Sequence, residues 1–160
     1  EWEIGSARIR AASVAHRGPT LGYRIDDGAS SLTYIPDHEP ALGADLDRLE
    51  EDWISGFALA CDTSLLIHDG QYADHEYPEH LGWGHSALGH SLSFAHRTGA
   101  ERTVLFHHDP LHTDDFLDGL GSEARQRWEA MGGDPGAIEL GAERTEYELP
   151  AHAPAPATTA

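Results

Sequence analysis

Thr103–Pro110 reads TVLFHHDP: four apolar or β-branched residues run directly into two histidines, an aspartate and a proline. A short apolar run closed by polar punctuation is the pattern of a buried strand. Its polar residues then stand where the strand leaves the sheet, a common position for functional side chains. The pattern occurs twice more, in LTYIPD (Leu32–Asp37) and SLLIHD (Ser64–Asp69). Three buried strands, each ending in His or Asp, predict one shared polar cluster at a sheet edge.

Working outward, the chain alternates strands and helices. Residues 3–16 read as extended, with Ala7, Ile9 and Ala11 alternating with Arg8 and Arg10. Gly18–Pro19 marks a turn, and LGYRI (Leu21–Ile25) reads as the next strand. Asp26–Asp27–Gly28 then signals a tight hairpin into Leu32–Ile35. Leu46, Leu49, Trp53, Phe57 and Ala60 follow helical spacing, predicting an amphipathic helix over 45–61. After the strand Leu65–Ile67 comes a long polar and aromatic loop, HDGQYADHEYPEHLGWGH, of a length that suits a site-lining segment. Leu88, Leu92 and Ala95 predict a helix over 86–98 with Gly99 as C-cap. Leu117, Leu120, Ala124, Trp128 and Met131 predict another, whose first turn carries Asp114 and Asp115. Residues 138–149 read as a final strand pair and 150–160, PAHAPAPATTA, as a disordered tail. A β-hairpin followed by alternating strands and helices is a mixed α/β layer architecture in one domain, 1–149.

Composition sets limits on function. The chain has 28 acidic residues against 10 basic ones, a formal charge of −18, and every base is Arg. Such a surface argues against nucleic acid as partner, since backbone binding needs cations to neutralise phosphates. It leaves room for chemistry on a single phosphate, because a bound cation reverses the local potential. No stretch has the roughly 18 uninterrupted apolar residues of a membrane span, and a cytoplasmic location is expected. The lone Cys61 offers neither a disulfide framework nor a cysteine-type zinc site. The outlier is histidine: 12 in all, 10 of them between His16 and His108.

His107 and His108 are adjacent, so continued strand geometry points them to opposite sides and at most one faces the cluster. Histidine with carboxylate suits Zn²⁺ or a similar divalent ion. On residue type and position, His16, Asp37 and one of the 107/108 pair are candidates, with hydrogen-bonded structural histidines as the alternative. His75, His80, His90, His96 and His112 read as solvated, and His38 and Glu39 as exposed or as neighbours of the site. Tyr72, Tyr77 and Trp83 fit either a pocket lining or packing beneath the long loop.

The blocks HRGPTLGYRI (His16–Ile25), LTYIPDHEP (Leu32–Pro40), LLIHDGQY (Leu65–Tyr72), GWGHS (Gly82–Ser86) and TVLFHHDP, in this order, resemble the later half of a metallo-β-lactamase-fold hydrolase. The branch they resemble holds the tRNA 3′-processing endonucleases and small phosphodiesterases. The resemblance implies the second half of an αββα sandwich, a mixed sheet with flanking helices. It also implies roles. The His before a GYRI-type strand is a metal ligand in that family, which maps to His16. The Asp of an SGDT-like turn bridges two metals, which maps to Asp37. The His closing the last core strand ligates the second metal, which maps to His107 rather than His108. The family's HEAT and HST blocks align with HDGQ (His68–Gln71) and HSA (His85–Ala87), making His85 the general-acid candidate.

The family's HxHxDH signature is absent from this sequence. That motif supplies further ligands, so His16, Asp37 and His107 form only part of a two-metal site. The chain opens on Glu1 inside a β unit, and a C-terminal portion of a longer protein is expected. Together these lead to a metallo-hydrolase using one or two Zn²⁺ (Mn²⁺ as the other option) to cleave a small phosphodiester or other ester with metal-activated water. An N-terminal half or a homo-oligomeric partner would complete the site. The competing expectation is a non-catalytic, acidic, His-rich module that binds a metal or a partner.

Overall fold

In a computed structural model, residues 1–149 are described; the segment 150–160, expected to be a disordered tail, lies outside them. Seven strands form one sheet in strict sequence order. They are β1 (Trp2–Ile4), β2 (Ala7–Val14), β3 (Thr20–Asp26), β4 (Ser31–Ile35), β5 (Leu65–Asp69), β6 (Thr103–Phe106) and β7 (Ile138–Leu140). The first four make an antiparallel meander. From β4 onward each strand pairs in parallel with the next. The sequence pattern anticipated this α/β architecture of a mixed sheet with flanking helices.

Parallel neighbours need crossovers, and the helices supply them. Short α1 (Phe57–Ala60) lies between β4 and β5, α2 (Tyr77–His80) and α3 (Leu88–Thr98) between β5 and β6, and α4 (Asp114–Ala130) between β6 and β7. Helix α3 stops at Gly99, whose φ of 68° takes the left-handed C-cap conformation. Helix α4 starts at Thr113, whose side chain accepts from Phe116 N. Val14, Ile35, Leu66, Leu105 and Ile138 from the sheet share one core with Phe57, Leu92, Phe94, Ala124 and Trp128 from the helices. Helices α1, α3 and α4 therefore cover the same face.

Three local expectations change. The stretch 3–16 is not one strand but a hairpin, because Gly5 (φ 61°) turns the chain between β1 and β2. The helix expected over 45–61 is two 3₁₀ turns, Leu46–Arg48 and Glu51–Trp53, followed by α1. Gly56 at φ 73° interrupts it, and Trp53, placed by spacing on the apolar face, is 76% exposed. The strand pair expected over 138–149 is the single strand β7.

The core contains a polar pair that hydropathy did not reveal. His38 and His68 are fully buried, joined Nδ1 to Nε2 at 2.8 Å, and both pack on the Phe94 ring. Burial pushes His38 well below its ordinary value, helped by the neighbouring His68. Burial likewise lowers His68 from 6.5 to about 4, against the opposing charge of Asp69. On the opposite face of the sheet, Leu21 and Tyr34 are exposed, and Tyr23, Leu32, Ile67 and Phe106 are half-buried, leaving an apolar surface largely open.

Two outcomes follow. Between pH 6.5 and 4 the unfolded chain protonates His68 while the fold resists it, so stability falls as the pH falls through that window. The loss at the bottom of the window is about 3 kcal/mol from His68, with His38 acting in the same direction. Urea melts across pH 4–7 measure it, and a flat midpoint would contradict the buried neutral pair. For the open face, the folded chain should enhance fluorescence of an apolar dye, and Tyr34→Ser combined with Ile67→Thr should lower that signal without a change in far-UV dichroism.

Candidate functional site

The parallel pairing of β4, β5 and β6 puts their C-terminal ends on one edge of the sheet. Strand β2 runs antiparallel to β3, and β3 to β4, so β2 ends at that same edge. The topology thus gathers His16, Asp37, Asp69 and His107 from four separate strand ends. The shared cluster predicted from three strand endings is present.

His107 reaches the cluster through its backbone. Strand geometry stops at Phe106, and His107 adopts φ 62°, a left-handed conformation that non-glycine residues seldom take outside constrained sites. Its Nδ1 lies 3.4 Å from Asp37 Oδ1. His108 turns away and its Nε2 bonds the Gly141 carbonyl at 3.2 Å. One member of the pair faces the cluster, but a backbone reversal rather than strand alternation separates the two.

His85 arrives from the long loop. Its ring stacks nearly parallel on His107, with centroids 4.8 Å apart. Its Nδ1 bonds Asp69 Oδ2 at 2.7 Å, which leaves Nε2 as the nitrogen available to a ligand. Burial lowers the affinity of this imidazole for a proton, but the Asp69 hydrogen bond and charge outweigh it, so the net shift is upward. Asp37 and Glu39 add smaller contributions of the same sign.

Asp69 is the residue that motif reading passed over. It is fully buried, and its carboxylate accepts from His38 N, Gln71 N, His85 Nδ1 and Ser86 N at 2.7–3.1 Å. Its place at the end of SLLIHD was the available signal. Glu39 takes the second of its two expected settings, beside the site: it is 1% exposed and accepts from Tyr77 Oη at 2.5 Å and from Gly82 N and Gly84 N at 2.8 Å each. Nearby, Tyr72 and Tyr77 are buried with Ala87 beneath the loop rather than lining a pocket. His112, expected to be solvated, bonds Glu76 through Nε2 at 2.9 Å, with its side chain only 6% exposed.

Among the described residues, Asp37, His85 and His107 form the one group of three whose donor atoms all lie within 4.8 Å of one another. Tetrahedral Zn²⁺ with ligands at 2.0–2.1 Å separates its donors by about 3.3 Å. The His107–Asp37 distance matches that edge. The donor set therefore fits a divalent ion. His16 stands beside the group, its ring 5.1 Å from that of His85, with Nδ1 accepting from Gly18 N. The backbone of Gly84 packs on it so closely that a Cβ at Gly84 would lie 2.3 Å from His16 Cδ2.

With this geometry in view, residues 1–108 match the family described as a beta-lactamase superfamily domain. No curated protein matches the sequence. Among solved structures, the fold is similar to the short form of human tRNase Z, at TM-score 0.63 and 19% identity, covering 93% of this chain and 46% of that one. It is similar to a diphosphatase of the PhnP family (TM-score 0.57, 18% identity, 94% and 47% coverage). It is also similar to Zn²⁺-bound PqqB from Methylobacterium extorquens (TM-score 0.60, 18% identity, 90% and 51% coverage). At these identities the likeness speaks for the fold, and the chain spans about half the length of each of these structures. The chain belongs to the β-lactamase superfamily and carries the later half of the metallo-β-lactamase fold.

Proposed function

We propose that this chain supplies half of the active site of a metal-dependent hydrolase that cleaves small phosphodiesters. The observation that carries this reading is the convergence of Asp37, His85 and His107, with the Nδ1 of His85 fixed by a fully buried carboxylate. Asp37 and His107 would hold a divalent ion, with Zn²⁺ favoured by the imidazole–carboxylate donors and Mn²⁺ as the alternative. His16, whose ring lies 5.1 Å from that of His85, is the further candidate ligand. Such an ion supplies Lewis acidity toward a phosphoryl oxygen and lowers the pKa of water.

The rest falls to the chain's own residues. Asp69 holds one tautomer of His85, with the proton on Nδ1, and favours the imidazolium, so Nε2–H can pass a proton to a departing oxygen. A charge of −18 disfavours a polyanion such as tRNA, which leaves a small phosphodiester as the better substrate class. The names of the tRNase Z and diphosphatase neighbours agree with chemistry at phosphorus. The remaining ligands would come from a segment equivalent to the other half of those structures, or from a partner chain.

A second reading has its own support. His85 belongs to the three-residue donor group, and its Nε2, the nitrogen not bonded to Asp69, can serve as a third ligand instead. One nitrogen cannot be both protonated acid and ligand, which separates the readings experimentally. With bis(p-nitrophenyl) phosphate as substrate and the metal-loaded complete protein, Asp37→Ala and His107→Ala should each lower kcat/KM at least about 1,000-fold and reduce bound metal. As a general acid, His85→Ala should keep its metal, lose kcat by about 100-fold or more on a phosphodiester with an alkoxide leaving group, and lose far less with p-nitrophenolate, which departs without a proton. As a ligand, it should lose metal. Full metal content without turnover in the unmodified protein would instead support the non-catalytic binding module.

A further inference from the structure

Beyond its small electrostatic contribution to His85, the carboxylate of Glu39 is among the most buried side chains in the molecule. Its Oε1 accepts from Tyr77 Oη and Gly82 N, and its Oε2 from Gly84 N. Gly82 and Gly84 have φ of 78° and 97°, conformations open to glycine. Those torsions let two amides flanking Trp83 converge on one carboxylate, as in an anion-binding nest. Trp83 N bonds back to His80 O at 2.9 Å, which closes the turn. His85 is the next residue after Gly84.

We propose that Glu39 is a positioning residue for His85: its carboxylate is the fixed post around which the Gly82–Trp83–Gly84 turn is wrapped. This rests on the reading of His85 as the general acid. Asp69 fixes the imidazole at Nδ1 and the backbone at Ser86 N, on the far side of His85. On the near side the chain is held by Glu39 alone among carboxylates, through Gly84 N. Glu39 is itself anchored, since its N–H donates to Ala15 O at 3.0 Å, next to His16. It lies two residues beyond Asp37, so one short segment sets both the carboxylate of the donor group and the entry of the loop that brings His85. The close packing of Gly84 on His16 leaves no slack between these parts.

A glutamine at 39 keeps the size but turns one oxygen into an NH₂ that must face an N–H donor, whichever way the amide is flipped. In the complete, metal-loaded protein, Glu39→Gln should speed hydrogen exchange of the Gly82 and Gly84 amides at least tenfold and leave the amides of α3 and α4 unchanged. Tyr77→Phe, which keeps both glycine amides bonded to the carboxylate, should leave them protected. On phosphodiesters, Glu39→Gln should lower kcat at least tenfold with an alkoxide leaving group and no more than about threefold with p-nitrophenolate, which departs without a proton. KM should stay within about twofold. Exchange at Gly82 and Gly84 that does not change, that rises equally throughout the protein, or that rises as much in Tyr77→Phe would overturn the proposal. So would equal kcat losses with both leaving groups. If the unmodified protein cleaves neither substrate, the hydrolase reading fails, and the exchange measurement still decides whether Glu39 holds the turn.

Discussion

One buried carboxylate holds the site edge together. Asp69 ends β5 in the middle of the sheet, and four N–H donors from three separate segments close on it: His38, Gln71, and His85 with Ser86. Hydrogen bonds to an ionised group contribute about 1.5–3 kcal/mol each, and a buried carboxylate left without them carries a heavy desolvation cost. Loops around the site are therefore ordered by a shared acceptor more than by apolar packing of their own. Ser91 Oγ bonds the Asp69 carbonyl at 2.7 Å, and Ser86 Oγ bonds the His38 carbonyl at 2.6 Å, so main chain and side chains are tied into the same knot.

Around that centre, charge does two jobs. Over the whole chain the excess of acid makes the field negative, with a net charge of −18. At the site edge, Asp37, Glu39 and Asp69 act on a few atoms, and their combined field offsets the burial that would otherwise strip His85 of its proton. The buried His38–His68 pair shows the opposite case. There burial wins over the single charge of Asp69, and the rings stay neutral. Imidazoles a short distance apart, His85 and the His38–His68 pair, thus stand in different electrostatic settings, which residue type alone does not convey.

The legible parts of the sequence were those with local causes. TVLF, SLLI and LTYI became adjacent parallel strands because apolar runs closed by polar residues have few other homes. The Asp27–Gly28 turn and the Gly99 cap carried conformational signals in single residues. The stretch 45–61 failed for the same kind of reason in reverse: its apolar spacing was helical, but one glycine with positive φ outweighed it. His38 and Glu39 looked like loop residues between two prolines. What covers them lies within residues 68–94, far along the chain, and no local pattern encodes that cover. Motif blocks selected His16, Asp37, His85 and His107, of which the last three share one donor group; the acceptors behind them became visible only in three dimensions.

The sequence-ordered sheet has a consequence for how the molecule forms. Every strand pairs only with its neighbour in the chain, so each pairing closes the shortest loop available to it. Loop closure costs rise with the length enclosed, and folding slows as contacts become more distant in sequence. A meander of hairpins followed by single crossovers can zip from one strand to the next without waiting for a distant partner. The strand ends that bear His16, Asp37, Asp69 and His107 come level as the pairing advances. Alignment of these side chains is then a by-product of sheet growth, with no separate search among loops.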